Sequence, residues 1–349
     1  YGKITVLPFS KYSSPIFAQR KSSGKLRILI DLRKINHVLR HDYDTHNFPI
    51  SSLSDVGNHL AGKKYFSKLD CSQAFHAVRM ADSESVQLLA FNFESRTYAF
   101  QRLAQGLSRS VSSFSSFMRK YLDPCITADK CFQYVDDLGS AAHTARELLD
   151  NLESVFQCIQ QSGLKLSMNK CEFCLARINI LGNAITSQGI APSREKVQKF
   201  LDNLKMPQNV TQVKRFIGFL QFFRAFLPNL SVKLFEFYKL LRNDVPFVIN
   251  DNHRQNLDQL KLDLVKATDT YLRLPKPDLQ YVLLTDASYY GAGYVLMVED
   301  YCQEQGSQTK ILAPVSFGSK LFNEAQLKFS TYAKEFLAVY FAVDTGAHS

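Results

Sequence analysis

Three aspartates are the side chains best suited to chemistry. Asp136 and Asp137 are adjacent in a stretch that predicts a hairpin, and Asp70 ends a predicted strand at 65–70. Successive strand side chains point to opposite faces, so two acids in a row need a turn or a cation. A hairpin turn capped by these aspartates is one explanation. If the two strands are neighbours, Asp70 and Asp136 instead face one point, where two divalent ions about 4 Å apart need bridging carboxylates. Mg²⁺ combines one or two carboxylates with substrate phosphates, so this arrangement suits nucleotidyl transfer.

The elements that must position these aspartates form an α+β pattern, in which hydrophobic spacing separates helices from strands. The predicted helices span residues 51–61, 108–122, 144–162, 253–268 and 331–343. The predicted strands include 64–70, 76–80, 97–100, 281–285, 292–297 and 311–316. On the second helix, one face is predicted from Ser113, Phe114, Phe117, Met118 and Tyr121. A further helical stripe runs from Val213 to Leu227 and is ended by Pro228.

Composition restricts the class of protein. The chain has 349 residues, of which 46% are hydrophobic and 21% charged. These values exclude a disordered or collagenous protein and predict two or three domains with buried cores. Lys and Arg exceed Asp and Glu by 42 to 32. This balance fits a polyanionic partner and fits ordinary solubility charge equally well.

Cysteines and apolar runs restrict the environment. Seven Cys, an odd number, argue against a disulfide framework and favour a reducing compartment. Cys171 and Cys174 form one C-x-x-C, but no second pair or close His completes a zinc site, so both are expected to be small apolar side chains. The longest apolar run, Phe336 to Val343, has eight residues. A spanning helix needs about 20, so no membrane segment is expected. The sequence lacks an initiator Met and is expected to be a segment of a longer protein.

Nine motifs, taken in order, resemble a known family. The motifs are Ser14-Pro15-Ile16, Arg27-Ile28-Leu29-Ile30-Asp31-Leu32-Arg33-Lys34-Ile35-Asn36, Tyr65-Phe66-Ser67-Lys68-Leu69-Asp70, Gln105-Gly106, Tyr134-Val135-Asp136-Asp137, Asn169-Lys170-Cys171-Glu172-Phe173, Leu181-Gly182, Phe216-Ile217-Gly218-Phe219 and Thr285-Asp286-Ala287-Ser288. In this order they resemble the reverse transcriptase region of retroviruses and LTR retrotransposons, nearest to the Ty3/gypsy group. The resemblance covers almost the whole chain.

The resemblance implies an α+β right-hand polymerase with fingers, palm and thumb, followed by an incomplete ribonuclease H-like α/β module. Residues 1–190 would form the fingers (about 1–40 and 78–104) and the palm (about 41–77 and 105–190). Residues 191–250 would form a thumb-like helical region and 251–265 a connecting helix. Residues 266–349 would be the N-terminal part of the ribonuclease H-like domain.

Carried over by position, Asp70, Asp136 and Asp137 match the catalytic aspartates of the family. The resemblance implies that Asp70 and Asp136, helped by the Cys71 carbonyl, hold two Mg²⁺ ions, for which Mn²⁺ could substitute. Asp137 would support the site more indirectly.

The resemblance also implies contacts with an incoming nucleotide. Phe75 matches the steric gate, whose ring lies where a ribose 2′-hydroxyl would project; a core Phe is the alternative. Arg27 and one of Arg20 or Lys21 match the fingers residues that bind the triphosphate, which suits the planar fork of Arg. A solvated turn is the alternative for this basic hairpin tip. Gln105 would pack beside the sugar and base of the nucleotide.

Three further sites follow from the resemblance. Lys170 is a candidate for the lysine that protonates the leaving pyrophosphate, although a surface lysine explains it as well. Leu181 and Gly182 match the hairpin that grips the primer. Asp286 and Glu335 match the first aspartate and the helical glutamate of ribonuclease H; a solvent-facing helix residue is the alternative for Glu335. After Glu335 the sequence has one more acid, Asp344, so this second site is expected to be incomplete.

The expected function is that of an RNA-directed DNA polymerase, with an RNA or DNA template-primer duplex and deoxynucleoside triphosphates as partners. The alternative is a catalytically inactive or domesticated remnant that binds nucleic acid. Ala104 and Val111 stand where family members often have Pro, and the chain has no Trp, which are changes typical of a decaying copy. The resemblance also implies a cytoplasmic location, with virus-like particles as one setting. It implies no membrane partner and is compatible with a dimer.

Overall fold

A computed structural model describes residues 2–20, 24, 26–39, 53–275, 279–304 and 307–346. The chain forms two compact units, Tyr1–His59 with Tyr65–Leu175, and Leu60–Lys64 with Ala176–Ser349. This division falls before the hairpin at 177–192, which had been assigned to the palm on the basis of the sequence. The limits of fingers, palm and thumb stay predictions. No helix in the described ranges is long and apolar enough to cross a membrane.

The first unit combines short strands with two long helices. Its strands are β1 (Ile4–Leu7), β2 (Ile16–Arg20), β3 (Leu26–Ile30), β4 (Tyr65–Asp70), β5 (Ala90–Phe93), β6 (Arg96–Phe100), β7 (Phe132–Tyr134), β8 (Asp137–Ala142) and β9 (Glu172–Leu175). Its helices are α1 (Arg33–Leu39), α2 (Leu53–Leu60), α3 (Ser83–Gln87), α4 (Ser110–Thr127) and α5 (Ala145–Ser162), with 3₁₀ turns at Ala74–Ala77 and Met168–Lys170.

The aspartates lie on a four-stranded antiparallel sheet with strand order β7-β8-β4-β9. Helices α4 and α5 pack on this sheet through a core that includes Leu69, Phe114, Met118, Leu138 and Leu148, each at most 1% exposed. Strands β1, β6 and β5 form a second antiparallel sheet, and β2 and β3 form a separate hairpin. The two strands that carry Asp70 and Asp137 are therefore neighbours, which was the condition for a shared carboxylate site.

Capping residues set the limits of α5. The Thr144 hydroxyl accepts the Glu147 backbone N–H at 3.2 Å, and the Glu147 carboxylate accepts the His143 N–H at 3.0 Å. Gly163, with φ +71°, ends the helix in the left-handed region that favours glycine. These local signals are present in the sequence, and the predicted helix at 144–162 is confirmed.

The strand predicted at 76–80 is wrong. Residues Ala74–Ala77 form a 3₁₀ turn, because Gln73 adopts φ +53° and its carbonyl accepts the His76 N–H at 2.9 Å. The apolar spacing in this stretch matches a strand, but the backbone must turn directly after β4.

The buried face of α4 also differs from the prediction. Ser113 is exposed, and the core side chains are Phe114, Met118, Leu122 and Cys125. These residues follow the helical spacing of 3.6 residues per turn over three turns. The prediction wrongly included Ser113 in the buried face, because serine occurs both in cores and on surfaces and its type does not indicate burial.

The second unit begins with a three-stranded meander and continues into helices. Its strands are β10 (Arg177–Ile180), β11 (Asn183–Thr186), β12 (Gly189–Pro192), β13 (Tyr281–Ala287), β14 (Gly291–Glu304) and β15 (Ser307–Leu321). Its helices are α6 (Arg194–Asn203), α7 (Val210–Leu220), α8 (Leu230–Lys233), α9 (Phe235–Lys239), α10 (Asp251–Ala267), α11 (Glu324–Leu327) and α12 (Thr331–Gly346), with a 3₁₀ turn at Gln221–Phe226.

Two cores stabilise the second unit. Helices α6 to α10 bury a cluster rich in Phe and Leu, in which Leu220, Phe223 and Phe237 are fully buried. The stripe predicted from Val213 to Leu227 belongs to this cluster, although α7 gives way to a 3₁₀ turn after Leu220. Strands β13, β14 and β15 form an antiparallel sheet on which α12 packs. Both β14 and β15 are longer than predicted, because polar residues extend the hairpin beyond the apolar runs.

Candidate active site

The turn between β7 and β8 presents Asp136. Tyr134 pairs with Asp137 across the hairpin, which leaves Val135 and Asp136 as the two turn residues. Val135 has φ +54°, a conformation that a β-branched residue adopts only under strain. The Gln133 side-chain amide donates to the Val135 carbonyl at 3.0 Å and braces the turn. The exposed Asp136 side chain is therefore held at the tip of the hairpin.

Asp70 and Asp137 are direct cross-strand partners at the ends of β4 and β8. Lys68 forms an ion pair with Asp137, with 3.0 Å between Nζ and Oδ1, and Lys170 lies 3.5 Å from the Asp70 carboxylate. The Lys68–Asp137 pair is about three-quarters shielded, with side-chain exposures of 25% and 28%, whereas Lys170 is 67% exposed. The two lysines offset the repulsion between carboxylates that face each other across the strands.

The Cys71 thiol lies close enough to Asp70 and Asp136 for both to affect its pKa. Burial raises the pKa of this thiol to about 12, and electrostatic interactions with Asp70, Cys171 and Asp136 add to that rise. The thiol is therefore protonated at neutral pH. Beside it, the Ser72 N–H donates to the Lys165 carbonyl and the Ser167 N–H donates to the Asp70 carbonyl. These two bonds do not use the Cys71 carbonyl, the group predicted to help hold a metal ion.

The donor set fits Mg²⁺ by its chemistry. Asp70 and Asp137 end adjoining strands and Asp136 lies in the turn beside them, so the three carboxylates offer hard oxygen donors. Asp70 and Asp136 both act on the Cys71 thiol. In the described part of the chain, no three His, Cys, Asp or Glu side chains converge into a ready metal cage. Mg²⁺ does not require one, because substrate phosphates and water complete its shell.

Three of the predicted nucleotide contacts lie around one cavity of about 290 Å³. Arg27 on β3, Phe75 in the 3₁₀ turn and Gln105 in the loop before α4 all line it. Phe75 is half-buried and packs on Phe114, with 5.0 Å between ring centroids. One side of its ring thus belongs to the core and another faces the cavity. Both explanations offered for this residue are compatible with its position.

The second basic residue that was predicted to bind the triphosphate is either Arg20 or Lys21. Arg20 ends β2, is exposed, and pairs with Leu26 across the hairpin. Lys21, the alternative, lies outside the described residues. Among the described residues of this hairpin, Arg27 is the exposed cation that lines the cavity.

Asn36 is a positioning residue that the sequence-based prediction did not single out. Its side-chain amide donates to the Gly106 carbonyl at 2.8 Å and its carbonyl oxygen accepts the Ser108 N–H at 2.8 Å. Asn36 thereby ties α1 to the loop that carries Gln105. Its place at the end of the motif 27–36 was the available signal. Lys68 was also missed, although strand alternation places it on the same face as Asp70.

The predicted primer-grip residues form a tight turn in the second unit. Ile180 pairs with Asn183, so Leu181 and Gly182 are the two turn residues, with φ +53° and +81°. Two positive φ values are typical of a type I′ hairpin. A Cβ on Gly182 would meet the far end of the flexible Lys196 side chain, which can move aside, so it is the positive φ that favours glycine there.

The predicted ribonuclease H residues lie on β13 and α12. Asp286 is exposed near the end of β13, and Glu335 is half-buried on the helix that packs against this sheet. The adjacent Lys334 is buried, and its ammonium donates to the Tyr289 carbonyl at 3.4 Å. Neither acid belongs to a group of three potential metal ligands among the described residues.

Two protein-family models match the chain. A model described as reverse transcriptase (RNA-dependent DNA polymerase) matches residues 19–213, which is more than half of the 349 residues. A model described as an RNase H-like domain found in reverse transcriptase matches residues 249–348.

Curated relatives match over nearly the whole chain. The retrovirus-related Pol polyproteins from transposons 297 and 412 of Drosophila melanogaster are each 29% identical, over 97% and 98% of this chain. The transposon Tf2-3 polyprotein of Schizosaccharomyces pombe is 25% identical over 93% of it. The chain spans 31%, 27% and 23% of the length of these three relatives.

Solved structures of foamy viral protease-reverse transcriptase share the fold. The complex with dsDNA has a TM-score of 0.84 at 24% identity and covers 99% of this chain and 69% of that chain. The complex with an RNA/DNA hybrid has a TM-score of 0.77 at 22% identity, with coverages of 99% and 44%. With the two family models, these matches confirm the predicted α+β polymerase fold with an RNase H-like module.

Proposed function

Because the chain belongs to the reverse transcriptase family, we propose that it is an RNA-directed DNA polymerase that adds deoxynucleotides to a primer on an RNA or DNA template. The observation that carries this proposal is the placement of Asp70 and Asp137 at adjoining strand ends, with Asp136 in the turn beside them and Phe75, five residues after Asp70, lining a cavity of about 290 Å³. The Pol polyproteins it resembles and the nucleic-acid complexes of its structural neighbours support the same function.

In this proposal Asp70 and Asp136 hold two Mg²⁺ ions, with the Cys71 carbonyl as a further ligand. Held there, the ions would supply the chemistry that lowers the pKa of the primer 3′-hydroxyl and offsets charge on the reacting phosphate. Asp137 remains paired with Lys68 and contributes charge without binding a metal ion directly. Lys170, whose ammonium lies 3.5 Å from the Asp70 carboxylate, would donate a proton to the leaving group.

The cavity side chains orient the nucleotide. Arg27 binds the triphosphate, because its guanidinium can form two parallel hydrogen bonds to phosphate oxygens. Phe75 lies beneath the sugar and leaves no room for a 2′-hydroxyl. Gln105 packs beside the sugar and base in a loop that Asn36 fixes. The duplex itself is held through its phosphates by a chain with a net charge of +10, which makes binding salt-dependent and insensitive to sequence.

Primer extension on poly(rA)/oligo(dT) with Mg²⁺ tests the proposal. The wild type should extend the primer, and Asp136→Asn should lose at least about 100-fold in single-nucleotide incorporation, since even outer-shell metal contacts cost ~10- to 100-fold. Duplex affinity should stay equal or rise, because a negative charge is removed. Asp150→Asn, which removes an exposed carboxylate on α5, is the matched control. Duplex binding without extension by the wild type would instead favour an inactive remnant, and normal incorporation by Asp136→Asn would refute the site.

A further inference from the structure

A second, larger cavity lies beside the nucleotide cavity in the first unit. Its volume is about 440 Å³, within the ~300–1,000 Å³ typical of small-ligand sites. The polar and charged side chains that line it are Lys3, Ser72, Gln73, His76, Arg102 and Lys165. Lys3, Gln73 and His76 also line the nucleotide cavity, so the two cavities are neighbours that share a wall. We call this second space the basic cavity.

The basic cavity gathers positive charge. Within the residues that the structure describes, Lys3, Arg102 and Lys165 form no ion pair with a carboxylate. The Arg102 guanidinium donates to the Ala77 carbonyl at 2.8 Å, which fixes its position without neutralising it. Burial and the charge of Arg102 lower the pKa of Lys3. Burial and the charges of Lys3, Arg27 and Arg102 lower the pKa of His76.

Uncompensated like charges in one concavity favour an anionic ligand. The lining is polar apart from Ala77 and Gly163, so it offers little apolar surface for a nucleobase. These features favour a compact anion with several oxygens over a nucleoside. The position indicates which anion, because the shared wall lies beside the cavity in which Arg27 is proposed to hold a triphosphate.

We infer that the basic cavity binds inorganic pyrophosphate, the product released at the neighbouring site. This inference rests on the proposed polymerase function. Nucleotidyl transfer forms a bond from the primer 3′-oxygen to the α-phosphorus and breaks the bond to the α–β bridging oxygen. Pyrophosphate leaves with that electron pair, and the hydroxyl proton passes to solvent. Lys165 and Arg102 then bind the released diphosphate outside the nucleotide cavity.

Calorimetric titration of the full chain with inorganic pyrophosphate tests the inference. Lys165→Gln and Arg102→Gln should each raise the Kd for pyrophosphate at least about fivefold, because each removes charge-assisted hydrogen bonds to the anion. Arg102→Lys should recover part of the loss, since it keeps the charge. Arg96→Gln, which removes an exposed cation from β6 outside the basic cavity, is the matched control and should change the Kd less than about twofold.

A second readout needs no variant. The pKa of His76 can be measured by NMR with and without pyrophosphate. Pyrophosphate bound in the basic cavity should raise this pKa, because the anion offsets the nearby cations that lower it. Equal pyrophosphate affinity in wild type, Lys165→Gln and Arg102→Gln would overturn the inference. A larger loss with Arg27→Gln than with Lys165→Gln would also overturn it, by placing pyrophosphate in the nucleotide cavity.

Two further measurements distinguish pyrophosphate from a nucleoside triphosphate as the ligand, and separate this inference from the proposed polymerase function. A nucleoside triphosphate also carries linked phosphates, so dTTP is titrated in parallel, and equal losses for dTTP and pyrophosphate would overturn the assignment to a released product. Primer extension is measured on the same preparation. Extension without Lys165-dependent pyrophosphate binding refutes this inference alone. Lys165-dependent binding without extension refutes the proposed polymerase and, with it, the identity of the anion as product.

Discussion

Replacing Lys68 with Met should impair incorporation by acting through Asp137. The Lys68 ammonium lies 3.0 Å from the Asp137 carboxylate, and Asp137 is the direct cross-strand partner of Asp70. Removing the ammonium leaves two carboxylates facing each other with one compensating charge fewer. Their repulsion then opposes the geometry in which Asp70 is proposed to bind a metal ion. Met keeps most of the side-chain volume, so the change is chiefly electrostatic.

The distance sets the size of the effect. At 3.0 Å the Coulomb energy of the pair is ~1.4 kcal/mol in bulk water and ~5.5 kcal/mol at an effective dielectric of 20. Fully exposed pairs contribute a net ~0.2–1 kcal/mol after the cost of ordering the side chains. With exposures of 25% and 28%, this pair lies between surface and interior. We expect a coupling of about 1–2 kcal/mol, equivalent to about 5- to 30-fold in rate.

A double-mutant cycle measures this coupling. It compares kcat/KM for single-nucleotide incorporation in the wild type, Lys68→Met, Asp137→Asn and the double variant. If Lys68 acts through Asp137, the double variant should be no worse than the poorer single variant. Lys64→Met, which removes an exposed cation just before β4, is the control for net charge. Losses that multiply independently, with a coupling below about 0.3 kcal/mol, would refute the reasoning.

Three further expectations concern the other predicted residues. Phe75→Val should lower the ratio of kcat/KM for dGTP over GTP at least about tenfold, because the smaller side chain admits a 2′-hydroxyl; an unchanged ratio would make Phe75 a core residue beside Phe114. Arg27→Ala should raise the KM for dNTP about 10- to 100-fold and weaken duplex binding less. A steady KM with a flatter salt dependence of duplex binding would place Arg27 on the template instead. Asp286→Asn should not alter cleavage of a labelled RNA–DNA hybrid by this chain with Mg²⁺ or Mn²⁺, because two-metal hydrolysis needs more carboxylates than Asp286 and Glu335. Cleavage abolished by Asp286→Asn would contradict this.

Strand alternation predicts part of the carboxylate site and leaves its pairing open. The ends of β4 and of the hairpin at 132–142 can be read from apolar runs and turn residues, and Lys68 must share a face with Asp70. The register that pairs Asp70 with Asp137 joins positions 67 residues apart in the chain. Register depends on tertiary packing, so the ion pair of Lys68 follows only from the structure.

The cavities show a second limit of sequence-based prediction. The resemblance to reverse transcriptases selected Arg27, Phe75 and Gln105, and the structure brings all three to one cavity. Lys3, Arg102 and Lys165 belong to no motif, and each one alone is indistinguishable from an ordinary solubility charge. Their convergence depends on how β1, the end of β6 and the loop after α5 meet. Such a cluster of single charges on separate elements is a property of the fold.

Backbone strain is the feature of the candidate site that is hardest to predict from the sequence. Val135, Gln73 and Leu181 all have positive φ, and each lies in a loop that carries a predicted functional residue. Such conformations cost ~1–3 kcal/mol each and persist where the surroundings overdetermine them. Hydrogen bonds provide that constraint, from Gln133 to the Val135 carbonyl and from the His76 N–H to the Gln73 carbonyl. Glycine would relieve the strain at each position but would also loosen the turn. A turn that contains Val135 therefore favours a fixed direction for Asp136 over local stability, which is what the metal-binding role proposed for this carboxylate would require.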